Sequence, residues 1–218
     1  MQQDAFCSVI APKTGKYIVE MRETSYRGDD ASTYRLHIGK FPRPGVAFPG
    51  GGKPGEEVEL KLLGDPLGEK LAKVKLPETP PLDFRFAAED EAGAAATGLP
   101  LRIIDATNVI EVEPNQKNDN ATRGELPAAF CGVIEKPGAL DRFRFAAKKG
   151  EVWDMNLIAR EIRSPLEAIL RVRKASGEQL AASDDNAGRP DSYIRFTVPE
   201  DGEYVCDVVD HLKQGGPT

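Results

Sequence analysis

Oxygen-bearing side chains are concentrated in two stretches of this chain, and they limit the chemistry it can perform. The first is Glu111-Val-Glu-Pro-Asn115, in which a polar group recurs at every second residue. On an extended backbone that spacing puts Glu111, Glu113 and Asn115 on one face, either as a solvated strand edge or as hard oxygen donors toward a cation. The second stretch is Ser183-Asp-Asp-Asn186 with Asp191 beyond it. Asp184, Asp185 and Asp191 read first as an Asx-rich turn whose side chains bond the loop's own backbone, and second as a further metal site.

Catalytic constellations are harder to find. His37 lies within an alternating segment and His211 near the C-terminal end, neither with a Ser, Cys or Asp at the spacing of a triad. His and Cys are not repeated at metal-ligand intervals. Gly50-Gly-Gly-Lys53 is followed by Pro54-Gly55, whereas a phosphate-cradling loop needs Ser or Thr after the lysine and then a helix, so this stretch reads as a turn. The expectation is a non-catalytic protein.

Composition narrows the class. A formal net charge of −6 argues against nucleic acid, whose phosphates require a basic surface, and is compatible with cation binding. Helical periodicity is almost absent, and 21 Gly with 17 Pro suit a chain of many turns, so the expected fold is all-β. No apolar run is long enough to span a bilayer, and Met1-Gln-Gln-Asp-Ala5 lacks the basic and apolar regions of a signal peptide. If the protein is exported, its signal is expected upstream of this fragment. The three cysteines, Cys7, Cys131 and Cys206, allow at most one internal pair.

The elements that must position these residues are short strands. Val58, Leu60 and Leu62 alternate with charged neighbours, and Leu71–Leu76 and Leu82–Phe86 come next; 87–98 reads as a loop. Further strands are expected over 108–115, 129–134, 141–145, 152–158 and 166–172, separated by Lys136-Pro-Gly138, Lys148-Lys-Gly150 and Ala175-Ser-Gly177 at the spacing of a β-sandwich. Near the C-terminus, Ile194, Phe196 and Val198 alternate, Pro199–Gly202 break the run, and Tyr204, Cys206 and Val208 resume it as an expected β-hairpin.

That last unit is present twice. Placing Ala11-Pro12 on Val198-Pro199 aligns Asp4 with Asp191, Phe6 with Tyr193, Gly15 with Gly202, Tyr17 with Tyr204 and Val19 with Cys206. The first copy continues into an alternating strand, Tyr34-Arg-Leu-His-Ile38; the second reaches Thr218 without one. Because Val19 stands where Cys206 does, Cys206 reads as a small core residue rather than half of a disulfide with Cys131. Tyr204 resembles the tyrosine corner of immunoglobulin domains.

Residues 108–214 resemble the bacterial pre-peptidase C-terminal domain, a jelly-roll-like sandwich attached to secreted proteases and repeated in large surface proteins. The resemblance rests on Glu111-Val-Glu-Pro-Asn115, Gly132-x-Ile134, Asp141-Arg-Phe-Arg-Phe145, Leu180-Ala-Ala-Ser-Asp-Asp185, Asp191-Ser192 and Pro199-Glu-Asp-Gly-Glu-Tyr204. Together with the strand pattern over 42–105, which is of immunoglobulin-like size, it gives antiparallel β-sandwiches in three pieces: 1–41, the last strands of an upstream domain; 42–105, an immunoglobulin-like spacer; and 106–218, a sandwich lacking its last strand. It further implies a non-catalytic accessory module, secreted, periplasmic or at the cell surface, for adhesion, substrate docking or spacing. The alternatives are a purely structural stalk and an accessory region of a secreted hydrolase. By the same resemblance, Glu111, Glu113, Asn115 and Asp141 would hold calcium. The partner expected is an extracellular protein or polysaccharide, with a strand-swapped dimer as one way to complete the sandwich.

Overall fold

The computed structural model describes residues 5–186 and 188–215, and its regular structure is nearly all β. Two apolar clusters organise it. The first is served by β1 (Val46–Phe48), β2 (Gly51–Gly52), β3 (Glu57–Leu63), β4 (Lys70–Lys75), β5 (Arg85–Phe86), β6 (Glu89–Asp90), β7 (Gly93–Ala94), β8 (Leu99–Pro100) and β9 (Arg102–Ile103). The alternation expected over 58–62 is realised in β3, which buries Val58, Leu60 and Leu62 and turns Glu57, Glu59 and Lys61 to solvent. β3 pairs antiparallel with β1 and β4, and Leu76, Leu99 and Leu101 close the cluster. The segment expected as a loop holds the small hairpin β6–β7.

The second cluster lies between two layers. Its strands are β10 (Thr107–Ile110), β11 (Thr122–Arg123), β12 (Ala128–Cys131), β13 (Leu140–Ala147), β14 (Val152–Asn156), β15 (Ala168–Lys174), β16 (Gln179–Ser183), β17 (Tyr193–Thr197) and β18 (Gly202–Asp210). One layer is a five-stranded sheet in the order β11-β13-β18-β15-β16. The other consists of two separate pairs, β10-β12 and β14-β17. Strand pairing is mostly antiparallel; the exceptions are β2-β9, β10-β12 and β11-β13, which run parallel. Phe145, Leu170, Val172, Ile194, Phe196, Val198 and Tyr204 fill the space between the layers. Each such side chain contributes ~1.5–3 kcal/mol by leaving water.

The expected hairpin over 193–208 is corrected. β17 pairs with β14, whereas β18 pairs with β13 and β15, so the two strands lie in opposite layers and the connection between them is an arch. Ile194, Phe196 and Val198 therefore meet Tyr204 and Cys206 across the core, with Phe196 and Tyr204 edge-on at 5.3 Å. The Tyr204 hydroxyl donates to the carbonyl of Glu200 at 2.7 Å, pinning the arch as a tyrosine corner does.

The first copy of this unit keeps the pin but not the strands. Tyr17 donates to the carbonyl of Lys13 at 2.5 Å, the same four-residue reach, yet Tyr17 is 55% exposed where Tyr204 is 1%. No strand forms over 5–40, including the one expected at 34–38, and these residues are exposed throughout. The physical reason is that arch strands gain stability only between two sheets; one or two strands alone are marginal in water. Asp4, the counterpart of Asp191, lies outside the described residues.

Candidate metal centre

The acidic segment leaves the sheet just where its side chains are needed. β10 ends at Ile110, and residues 111–116 turn across one end of the sandwich, beside the chain that links β12 to β13. There Glu111, Glu113 and Asp141 converge, each presenting an oxygen, with all three oxygens within 4.8 Å of one another. Oxygens that share one calcium ion at ~2.3–2.6 Å stand at most about 5 Å apart, so the spacing suits a single ion.

The backbone holds the group in place. The amide of Val133 donates to Glu111 Oε1 at 2.7 Å, and Asn115 Nδ2 donates to Glu111 Oε2 at 3.3 Å. Glu113 Oε2 accepts from the Asn115 amide at 3.1 Å and from Gln116 Nε2 at 2.6 Å. Asn115 is wholly buried, and its Oδ1 has no hydrogen-bond partner. An amide oxygen stripped of water with nothing to accept from costs about 1–3 kcal/mol, a cost that a cation bound next to Asn115 would relieve. Gly132 forms the floor: a Cβ there would stand 2.7 Å from Glu111 Oε2 and 2.8 Å from Asp141 Oδ2. Only a residue without a side chain lets the backbone pass this close.

Electrostatics agree with the geometry. Asp141 sits on β13 and is 2% exposed; burial, reinforced by the Glu111 carboxylate, pushes it up to about 8. Burial also raises Glu111, and the charge of Glu113 adds to the effect. The Glu111 and Asp141 carboxyls lie close together, so a proton kept on Asp141 relieves the repulsion between them. Three carboxylates supply the converging protein oxygens, with Asn115 held beside them through its Nδ2, and calcium's remaining positions would fall to waters and carbonyls. The chain's own residues therefore fit calcium.

Glu135, Lys136 and Ala139 line the mouth of the cleft together with Glu113, Pro114, Gln116 and Asp141. Glu135 was not legible beside the centre, because it comes after an apolar strand-like run and acquires its position only from the turn between β12 and β13. Its charge also acts to raise Asp141.

The second acidic stretch is built differently. Both carboxylate oxygens of Asp191 are occupied by backbone amides, Oδ2 by Ala159 and Glu161 at 3.1 and 3.0 Å and Oδ1 by Arg160 at 2.8 Å. This clamps the short 3-10 turn Arg160–Ile162 against the start of β17. Asp184 Oδ1 accepts from the amide of Asp185, and the Asp184 carbonyl accepts from Ser192 Oγ, which is the turn chemistry expected for an Asx loop. The structure does not gather Asp184, Asp185 and Asp191 with one another as it does Glu111, Glu113 and Asp141.

Among the described residues no cysteine or histidine side chain joins the three converging carboxylates. Cys206 is buried, its Sγ 3.8 Å from Met155 Sδ, and burial pushes its thiol up to about 12. Cys131 is half-buried and unpaired, and burial pushes it up to about 11, so both thiols stay protonated near neutral pH. His37 and His211 are exposed. No helix among the described residues is long and apolar enough to cross a membrane.

No family model matches the chain. Over 123 residues the chain is 32% identical to a probable subtilase-type serine protease of Deinococcus radiodurans, a match covering 52% of this chain and 17% of that protein. The chain thus spans under a fifth of that relative's length.

Proposed function

We propose that this chain is a non-catalytic accessory region of a secreted multidomain bacterial protein, of the pre-peptidase C-terminal type, held in shape by calcium and serving to dock or space a hydrolase. The observation that carries the reading is the convergence of the Glu111, Glu113 and Asp141 carboxylates, whose oxygens all lie within 4.8 Å of one another. The similarity to a subtilase-type protease supports the accessory role, because it touches a small share of that protein. A net charge of −6 favours an extracellular protein or polysaccharide as partner over nucleic acid.

Each residue has a part in this reading. The Val133 amide fixes Glu111, the turn at Pro114 brings Asn115 under it, and β13 supplies Asp141 from the sheet. Calcium supplies the positive charge that lets all three carboxylates ionise together. Tying 111–115 to β13 would fasten the strand after the spacer to the sandwich, stiffening the joint between the two apolar clusters. That joint is otherwise held by Asn108 Nδ2 donating to the Gly51 carbonyl at 2.9 Å and by an ion pair between Arg102 and Glu161. Melting the chain in millimolar calcium and in chelator tests the proposal. Calcium is expected to raise the transition of the sandwich, since a ligand bound only by the folded state must stabilise it; an unchanged midpoint would count against it.

A further inference from the structure

The second copy of the repeated unit shows what its strands require. β17 pairs with β14 along Tyr193–Thr197, and β18 lies between β13 and β15. The arch so formed buries Ile194, Phe196, Val198, Tyr204 and Cys206 between the layers. On the other face of β18, Val205 is wholly buried, and Asp207 accepts from Arg142 Nε of β13 at 2.9 Å and from Arg173 Nε of β15 at 2.8 Å. Asp210 ends the unit, its Oδ2 accepting from the Gln214 amide four residues on at 2.6 Å.

The first copy carries the same specification with no sheet around it. In the register that sets Ala11-Pro12 on Val198-Pro199, Cys7, Val9, Ala11, Tyr17 and Val19 fall on the five positions that face the core. Ile18 falls on Val205 and Glu20 on Asp207. The local hydrogen bonds of the unit are already made. Tyr17 donates to the Lys13 carbonyl as Tyr204 does to that of Glu200, and Glu23 Oε2 accepts from the Arg27 amide at 2.9 Å as Asp210 does from Gln214. The long-range contacts are not made: Ile18 is 95% exposed where Val205 is 0%. Such a segment gains stability only when other strands cover it, and a carboxylate at the position of Glu20 can be covered only with cations beside it.

The cover is not this chain's own sandwich, where β17 and β18 already fill the place. We infer that residues 6–23 are a donor arch, and that their partner is a separate β-sandwich of the same build that presents counterparts of β13, β14 and β15 and leaves the β17–β18 place open. Residues 6–10 pair with the counterpart of β14, and residues 15–23 enter between the counterparts of β13 and β15. Basic side chains at the positions of Arg142 and Arg173 receive Glu20.

Exchanging the two copies within the full chain tests whether the first is such an arch. A chain whose residues 193–210 are replaced by the sequence of residues 6–23 should melt cooperatively and keep the wild-type emission of Trp153, the single tryptophan, which packs on the cluster the arch closes. A control carrying the sequence of residues 5–22 is slipped by one position, which turns every side chain to the opposite face, and should lose both properties. Glu20→Lys within the in-register exchange sets a cation against Arg142 and Arg173 and should lose them too. Binding is tested on an opened acceptor: Phe196→Asp/Tyr204→Asp in the full chain expels its own arch, and a peptide of residues 5–27 should bind this variant and return Trp153 to the wild-type emission. The same peptide should not bind the wild-type chain, whose place is filled. An in-register exchange that melts no better than its slipped control, indifference to Glu20→Lys, no binding to the opened variant, or equal binding to the wild type would each overturn the inference.

Discussion

Asp141 offers the sharpest quantitative consequence of the structure. Its carboxyl is raised from 3.8 to about 8 in the folded protein by burial and by Glu111, so the folded state binds a proton that the unfolded state has already released across this interval. The stability carried by that proton is fully present below the unfolded value and is lost as pH rises through the folded one. At 1.36 kcal/mol per unit the ceiling is ~6 kcal/mol, and relaxation with water entry should bring the realised figure to a few kcal/mol. At about 2–4 °C per kcal/mol for a chain of this size, the calcium-free sandwich should melt on the order of ten degrees lower at pH 8 than at pH 5. Asp141→Asn removes both the charge and its titration, so most of this slope should vanish and the calcium-free variant should be the more stable protein at pH 8. Calorimetric melts in chelator, at pH steps from 5 to 8 for both proteins, provide the assay. A wild-type midpoint that is flat or rising over this range, or a variant with the same slope as the wild type, would refute the reasoning.

Two further outcomes are expected from the fold. Asp191→Ala should cost about 3 kcal/mol in chemical denaturation, because three backbone amides lose their acceptor, while calcium-dependent stabilisation is retained; loss of the calcium response would place Asp191 in the metal centre after all. Tyr204→Phe should cost ~1 kcal/mol through the lost bond to Glu200, whereas Tyr17→Phe in the exposed copy should be within experimental error in the monomer, and equal losses would contradict the difference in burial between the two copies.

Much of the fold was legible wherever a strand buries one face. The alternation in β3, β13 and β17 is the imprint of a half-wet sheet, and it marked those strands to within a residue or two. Partner choice was not legible: the run through 193–208 gives the same alternation whether its strands pair with each other or cross the core, and only β13, β14 and β15 decide that they cross. For the same reason Tyr17 and the strand at 34–38 carry sequence signals without forming sheet, since their neighbours are not in place.

The grouping of Glu111, Glu113 and Asp141 was legible through the family-like order Glu111, Glu113, Asn115 and Asp141, of which Asp141 stands far along the chain until the turn over 111–116 folds back on β13. Glu135 gave no signal, because nothing local marks it. Asp191 read first as a turn residue bonding its own loop and second as a ligand, whereas the amides of 159–161 that claim it lie 30 to 32 residues away along the chain.

Calorimetric titration of the calcium-free chain with calcium near neutral pH tests the central claim most directly. One ion per chain is expected, with proton release on binding as Asp141 and Glu111 ionise, and no heat of binding from Asp141→Asn. Absence of saturable binding by the wild type, or an unaltered isotherm from the variant, would contradict the assignment of Glu111, Glu113, Asn115 and Asp141 as a calcium centre.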